Sequence, residues 1–196
     1  MKKIRENKPS NFYQFYPTLA AVVAIRSGNK TNAMAVAWHV GLSFDPPLFG
    51  ILVALKRYTH DLIMEAKEFS VNFLPYEKIN IIAGCGRTGG KQLDKFKTFN
   101  IKTEKPVKIS SPVLKDAYAS YECKLKEHHR VGDHTLFVGE IVQVHYCPRA
   151  FDKNGLPNLK NIIPALYLGA DRYLKAKPVE INIIGRDKVE AMFLKK

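Results

Sequence analysis

The chain has 196 residues, 46% of them hydrophobic and 25% charged, which fits one globular domain with a sizeable core. No apolar run approaches the roughly 20 residues that span a bilayer, and the basic stretch 1–9 lacks the apolar segment of a signal peptide, so no membrane role and a cytoplasmic location are expected. The net charge of +13 points either to an anionic ligand or to a lysine-rich solvated surface.

Residues 18–26 and 32–38 are two apolar segments joined by Ser27-Gly28-Asn29-Lys30, which predicts a hairpin. The nearly continuous apolar run 48–55 predicts a strand buried on both faces. Pro46 and Pro47 must lie outside the interior of the ladder, since neither offers an N–H. Residues 60–66 have helical composition, with Asp61 and Glu65 at i,i+4, and 69–74 alternate as a strand. A helix is expected over 77–83, ending at Gly84, followed by a glycine-rich loop over 85–91 and a short helix over 91–96. Residues 118–129 and 135–146 predict two long strands around a turn at Gly132-Asp133. An exposed excursion is expected over 152–161 and a last short strand over 166–168.

Hairpins outnumber helices and no regular βαβ alternation appears, which favours an antiparallel barrel over a Rossmann sheet. Gly84-Cys85-Gly86-Arg87-Thr88-Gly89 matches the spacing of a dinucleotide fingerprint, but it follows a helix rather than a strand and is discounted. Cys85, Cys123 and Cys147 are odd in number, without CxxC spacing, and imply neither a disulfide framework nor a zinc site; the adjacent His128 and His129 do not have ligand spacing either. Cys85 reads as a small buried residue in a turn more readily than as a reactive thiol.

Several residues could carry chemistry. Thr59 reads as the N-cap of the helix after Arg57-Tyr58-Thr59-His60, and free first-turn N–H groups beside Arg57 suit a phosphate; ordinary capping and a surface arginine would look the same. Thr88-Gly89-Gly90-Lys91 could present successive N–H groups, with Lys91 as a point charge. It opens the stretch 86–108, which carries seven basic residues against two acidic ones. Asp133 is first a turn former, whereas the turn does not require an imidazole at His134.

Asn32-Ala33-Met34-Ala35-Val36-Ala37-Trp38 with Ser43-Phe44-Asp45-Pro46-Pro47, and later Val131-Gly132-Asp133-His134-Thr135-Leu136-Phe137-Val138-Gly139-Glu140, together resemble the flavin reductase-like family. Arg57-Tyr58-Thr59-His60, Thr88-Gly89-Gly90-Lys91 with Asp94-Lys95-Phe96, and the segment Leu166-Tyr167-Leu168-Gly169 add to that likeness, which spans residues 10–185. The resemblance implies a mainly β, antiparallel Greek-key split β-barrel with a few peripheral helices, a single domain over 1–196, FMN as cofactor, and NADH or NADPH as electron donor.

It also implies a homodimer with the flavin near its interface. Asn32, Ala33, Met34, Ala35, Val36 and Ala37 would then face the isoalloxazine ring, the small residues letting it approach the backbone. Ala35 replaces a hydroxyl residue common in the family, so a hydrogen bond to the ring would have to come from backbone here. Arg57, Tyr58, Thr59, His60, Thr88, Gly89 and Lys91 would serve the phosphate tail, and His134 would position substrate or move a proton.

Gly139 would allow close packing inside the barrel, Tyr167 and Tyr173 read as aromatic core, and Trp38 reads as core or pocket wall. Rival readings are a flavoredoxin-like carrier reduced by a protein partner, a barrel that stores FMN, and a basic nucleic-acid-binding barrel. Eleven phenylalanines and nine tyrosines would suit base stacking in the last, but no RNP1-like run is present.

Overall fold

Gly28, at φ +56°, turns the chain between two seven-residue strands whose burial patterns differ. The first, Ala21–Ser27, buries every side chain except Arg26. Its alternate residues belong to two separate cores: Ala21, Val23 and Ile25 to one, Val22 and Ala24 to the other. A strand walled on both faces needs no polar alternation, which explains the unbroken apolar run.

The computed structural model describes residues 3–9 and 11–176; the expected family segment 177–185 lies outside them. In chain order the strands are β1 (Thr18–Leu19), β2 (Ala21–Ser27), β3 (Lys30–Val36), β4 (His39–Phe44), β5 (Pro47–Ala54), β6 (Glu68–Phe73), β7 (Thr103–Glu104), β8 (Val113–Leu114), β9 (Ala119–Val131), β10 (His134–Tyr146), β11 (Ala165–Gly169) and β12 (Arg172–Lys175). The helices are α1 (Tyr58–Ala66), α2 (Ile79–Arg87) and α3 (Lys95–Thr98).

Seven strands form one antiparallel sheet in the order β3-β2-β6-β9-β10-β5-β4. Its outermost strands, β3 and β4, are consecutive in the chain, and Leu52 N–H donates to the Trp38 carbonyl at the joint between them (2.9 Å). The sheet thus curls back on itself, a split β-barrel with peripheral helices. One core, with Phe49, Phe69, Val71 and Phe137, fills the barrel. The other, with Ile82, Cys85, Leu114 and Ala165, lies between the sheet and α2. Gly139 on β10 is needed inside the barrel, since a Cβ there would stand 2.7 Å from the Phe69 ring. A small sheet, β1-β11-β12, and the pair β7-β8 complete the structure.

Several expected boundaries shift. The strand β4 was not expected, because its side chains are half-buried or exposed and lack alternation. Pro46 lies in the turn before β5, while Pro47 begins the strand at its rim, opposite Phe44. Helix α1 starts at Tyr58 with Arg57 as its N-cap, so Thr59 sits in the first turn rather than capping it.

Helix α2 does not stop at Gly84 but includes Cys85, Gly86 and Arg87, which therefore are not loop. Its glycines serve packing, not turning: a Cβ on Gly84 would stand 2.6 Å from the Phe99 ring. The short helix α3 begins only at Lys95, after Asp94, whose carboxylate accepts from Lys97 N–H at 3.1 Å. Strand β11 is not the last; β12 folds back on it through Ala170 and Asp171.

Glu122 on β9 is fully buried yet completely served. Its carboxylate accepts from Val107 N–H (2.7 Å), Lys108 N–H (2.6 Å), Ile109 N–H (3.1 Å) and His145 Nε2 (2.6 Å). Burial alone would raise its pKa, but these donors together hold it below the usual carboxylate range. Glu122→Ala leaves those donors unmatched and should cost about 3 kcal/mol in urea unfolding. The stability that the carboxylate contributes should be complete above its unfolded pKa near ~4.3 and be lost as pH falls through the lower folded value.

Candidate active-site cleft

The side chains of β3 alternate between the two cores until the strand runs out at Val36, and beyond it the chain opens onto a cleft. Met34, Ala35, Val36, Ala37 and Trp38 form one wall of a lobe of about 410 Å³. Leu52 and Ala54 of β5, and His134 at the start of β10, continue the wall on one side. Tyr13 and Tyr16 from the N-terminal segment, and Tyr167 and Tyr173 from the β11–β12 hairpin, close the other. Trp38 is a wall residue: its Nε1–H donates to Tyr16 Oη (2.9 Å), and its ring lies 4.8 Å from that of His134. Tyr167 and Tyr173, expected as core, pack against the second core and line the cleft as well.

A second lobe of about 210 Å³ adjoins the first and shares Met34, Lys56, Arg57 and Gly86 with it. Asn32, Tyr58, Thr59, Thr88, Gly89, Lys91 and Lys95 line it. This lobe holds the N-terminus of α1, whose first N–H groups have no intrahelical acceptor. Asn32 joins its parts: Nδ2 donates to Thr59 Oγ1 (2.8 Å), while the buried Oδ1 has no partner. Gly90 passes so close that a Cβ there would stand 2.3 Å from Asn32 Oδ1. Thr88 Oγ1 donates back to the Gly84 carbonyl (2.7 Å), which ends α2 and starts the loop.

Two of the expected site residues stand apart from the cleft. Ala33 is buried in the second core, and its carbonyl accepts from Lys95 Nζ (2.8 Å). His60 turns its imidazole to Thr135 Oγ1 (Nε2, 2.9 Å) and the Phe137 ring, bracing α1 against β10. The helix rotation that puts Thr59 beside Asn32 carries the next side chain away from the lobe. Lys56, Gly86, Gly90 and Lys95 line the cleft without having been expected there. Of these, Gly90 and Lys95 lay inside recognised motifs.

Charge is unevenly spread over the two lobes. The second gathers Lys56, Arg57, Lys91 and Lys95; Asp61 lies 3.8 Å from Lys91, whose ammonium also sits over the Tyr58 ring. At the first lobe His134 Nδ1 hydrogen-bonds the exposed Asp133 carboxylate (2.7 Å), which holds Asp133 below its ordinary pKa. Among the described residues His134 Nε2 has no protein partner. Arg87 and Asp171 form an ion pair across the same lobe.

A flavin reductase like domain matches residues 13–174. The chain belongs to the flavin reductase-like family. An FMN-binding protein of Thermus thermophilus is similar in structure, with a TM-score of 0.83 at 34% identity, over 93% of this chain and 100% of that one. A flavoredoxin of Methanosarcina acetivorans gives 0.82 at 25% identity, over 96% and 99%. In sequence, an NADH-dependent FMN reductase, AsuE2, of Streptomyces nodosus subsp. asukaensis is 30% identical over 138 residues, covering 68% of this chain and 71% of its own.

Among the described residues no helix is long and apolar enough to cross a membrane. Within this flavin reductase-like chain the cysteines are free. Cys85 lies in α2, not in a turn, and burial pushes its thiol up to about 11, against a smaller opposing pull from Lys95. Burial likewise raises Cys123 to about 12. A thiol-disulfide reagent at pH 8 should therefore label one cysteine of the native protein, the partly exposed Cys147, and all three after denaturation.

Proposed function

We propose that the protein is an FMN-binding oxidoreductase that passes electrons between a reduced nicotinamide nucleotide and flavin. The observation that carries this is the two-lobed cleft, whose lobes differ in chemistry as the two ends of FMN do. The small side chains of Ala35 and Ala37 leave room for a flat ring along β3, with Trp38 and the tyrosines as apolar walls. The basic lobe at the α1 N-terminus suits a phosphate, and the orphaned Asn32 Oδ1 is an acceptor awaiting a donor. FMN, when bound, supplies the hydride chemistry.

In this reading Arg57 and Lys91 hold the phosphate from solvent, while the hydroxyl of Thr59, steadied by Asn32, offers its remaining proton. Trp38, Tyr16 and Tyr167 exclude water from the ring. Asp133 orients His134 through Nδ1, which leaves Nε2 to hold or move a proton toward a substrate in the first lobe. The likeness to a flavoredoxin favours a second reading, a tightly held FMN reduced by a protein donor.

The deciding experiment is the visible spectrum of protein loaded with FMN, desalted, and mixed anaerobically with NADH or NADPH. A retained band that bleaches supports the oxidoreductase; a retained band that persists with both nucleotides favours the carrier. If no band is retained, turnover with added flavin decides, and none would overturn the function. Arg57→Ala should weaken FMN binding roughly 10- to 100-fold in a fluorescence titration. His134→Ala should keep FMN bound while slowing reduction by about 100-fold in stopped-flow traces.

We also propose that the protein works as a homodimer. Edge strand β4 carries Val40 and Leu42, about half exposed, and Phe44, fully exposed, an apolar patch on a strand with unpaired backbone groups. Phe44→Asp should convert a dimer to a monomer in sedimentation velocity; a dimer that persists would move the interface elsewhere.

A further inference from the structure

Asp171 sits at the tip of the β11–β12 hairpin, in the two-residue loop between the paired Gly169 and Arg172. Both loop residues have positive φ, +45° at Ala170 and +64° at Asp171. Those are the signs of a type I′ turn, which favours Asn and Gly because a Cβ crowds the backbone there. Ala170 therefore holds a strained conformation, and the turn needs support from outside itself. That support is Arg87, the last residue of α2, whose Nη2 pairs with the Asp171 carboxylate.

The pair spans the mouth of the first lobe, with the two side chains 59% and 61% exposed. Arg87 stands beside Tyr167 and Tyr173 and lines this lobe alone, whereas Lys56 and Arg57 are shared with the basic lobe. A helix C-terminus accounts for a basic residue at this place, but not for a cation that reaches across a cleft to a strained turn. Asp171 is the one carboxylate paired with Arg87 among the described residues. An ion pair this exposed contributes little in water, so a stronger anion can replace Asp171 at small cost.

We infer that Arg87 clamps the pyrophosphate of the nicotinamide nucleotide donor, and that Asp171 holds its place until the donor arrives; both roles rest on the electron-donor reading above. With a flavin ring along β3, the remainder of the lobe of about 410 Å³ takes little more than a nicotinamide ring. The rest of a dinucleotide then crosses the rim where Arg87 stands. Its planar guanidinium, a fork of five N–H donors, suits two phosphate oxygens at once. The site therefore favours donors that carry a pyrophosphate over dihydronicotinamides that carry none.

The test uses protein saturated with FMN, unmodified and as Arg87→Gln and Asp171→Asn, with thermal melts to confirm folding. Calorimetry with the tetrahydro forms of NADH and NADPH, which give no hydride, reads donor binding without turnover. Arg87→Gln should weaken both analogues roughly 10-fold, and Asp171→Asn should tighten them about 3-fold by freeing the guanidinium. In stopped-flow reduction the preference for NADH over N-benzyl-dihydronicotinamide, which has no phosphate, should fall in the first variant and rise in the second. Unchanged binding in Arg87→Gln, or no tightening in Asp171→Asn, would reduce the pair to a structural latch and overturn the clamp. A loss confined to the NADPH analogue would move the contact to its extra phosphate and overturn the pyrophosphate assignment. If the unmodified protein neither binds the analogues nor is reduced by NADH or NADPH, the donor reading itself falls, and the clamp with it.

Discussion

The hydrogen bond from Leu52 N–H to the Trp38 carbonyl carries the pairing of β4 with β5 one residue back toward β3, and the geometry of the cleft depends on that joint. Strands β3 and β4 are neighbours in sequence but stand at opposite ends of the strand order, so the chain itself is the seam. At the seam β3 stops pairing with β2 after Val36, and Ala37 and Trp38 leave that ladder and extend the wall that Met34 to Val36 begin. A fully paired barrel would have sealed that stretch. The split in the barrel is what leaves a cleft beside a rigid strand, a wall held in place without the cost of ordering a loop.

How far the sequence discloses this follows from which signals are local. The β2–β3 and β9–β10 hairpins were legible because their apolar runs and turn residues belong to the same short segments. Strand β4 was not, since its side chains lie toward the surface and its existence follows from pairing with β5. The glycines of α2 misled for a related reason. Gly84 looks like a helix stop, but the cause of its smallness is the Phe99 ring fifteen residues further on.

The site was readable in its motifs and less so in its details. Met34 to Ala37, Arg57, Thr59, Thr88, Lys91 and His134 all reach the cleft, whereas Ala33 and His60 share their segments without sharing their direction. Strand pleat and helix rotation send adjacent side chains to different neighbours, and a motif does not carry that information. The seven basic residues of 86–108 likewise looked like one feature. They divide into a buried lysine, an arginine paired with Asp171, a lysine over an aromatic ring, and others at the surface. Net charge is a sum, while the cleft uses position.

The far wall of the cleft comes from Tyr13 and Tyr16 near one end of the domain and from Tyr167 and Tyr173 near the other, brought together by the pairing of β1 with β11. During synthesis the barrel strands β2 to β10 can emerge and pair while the first lobe still lacks one side. Closure of that lobe therefore waits for β11 and β12, which leave the ribosome after the barrel strands. A chain halted after β10 would hold the basic lobe and half of the aromatic one, a cleft open along one side.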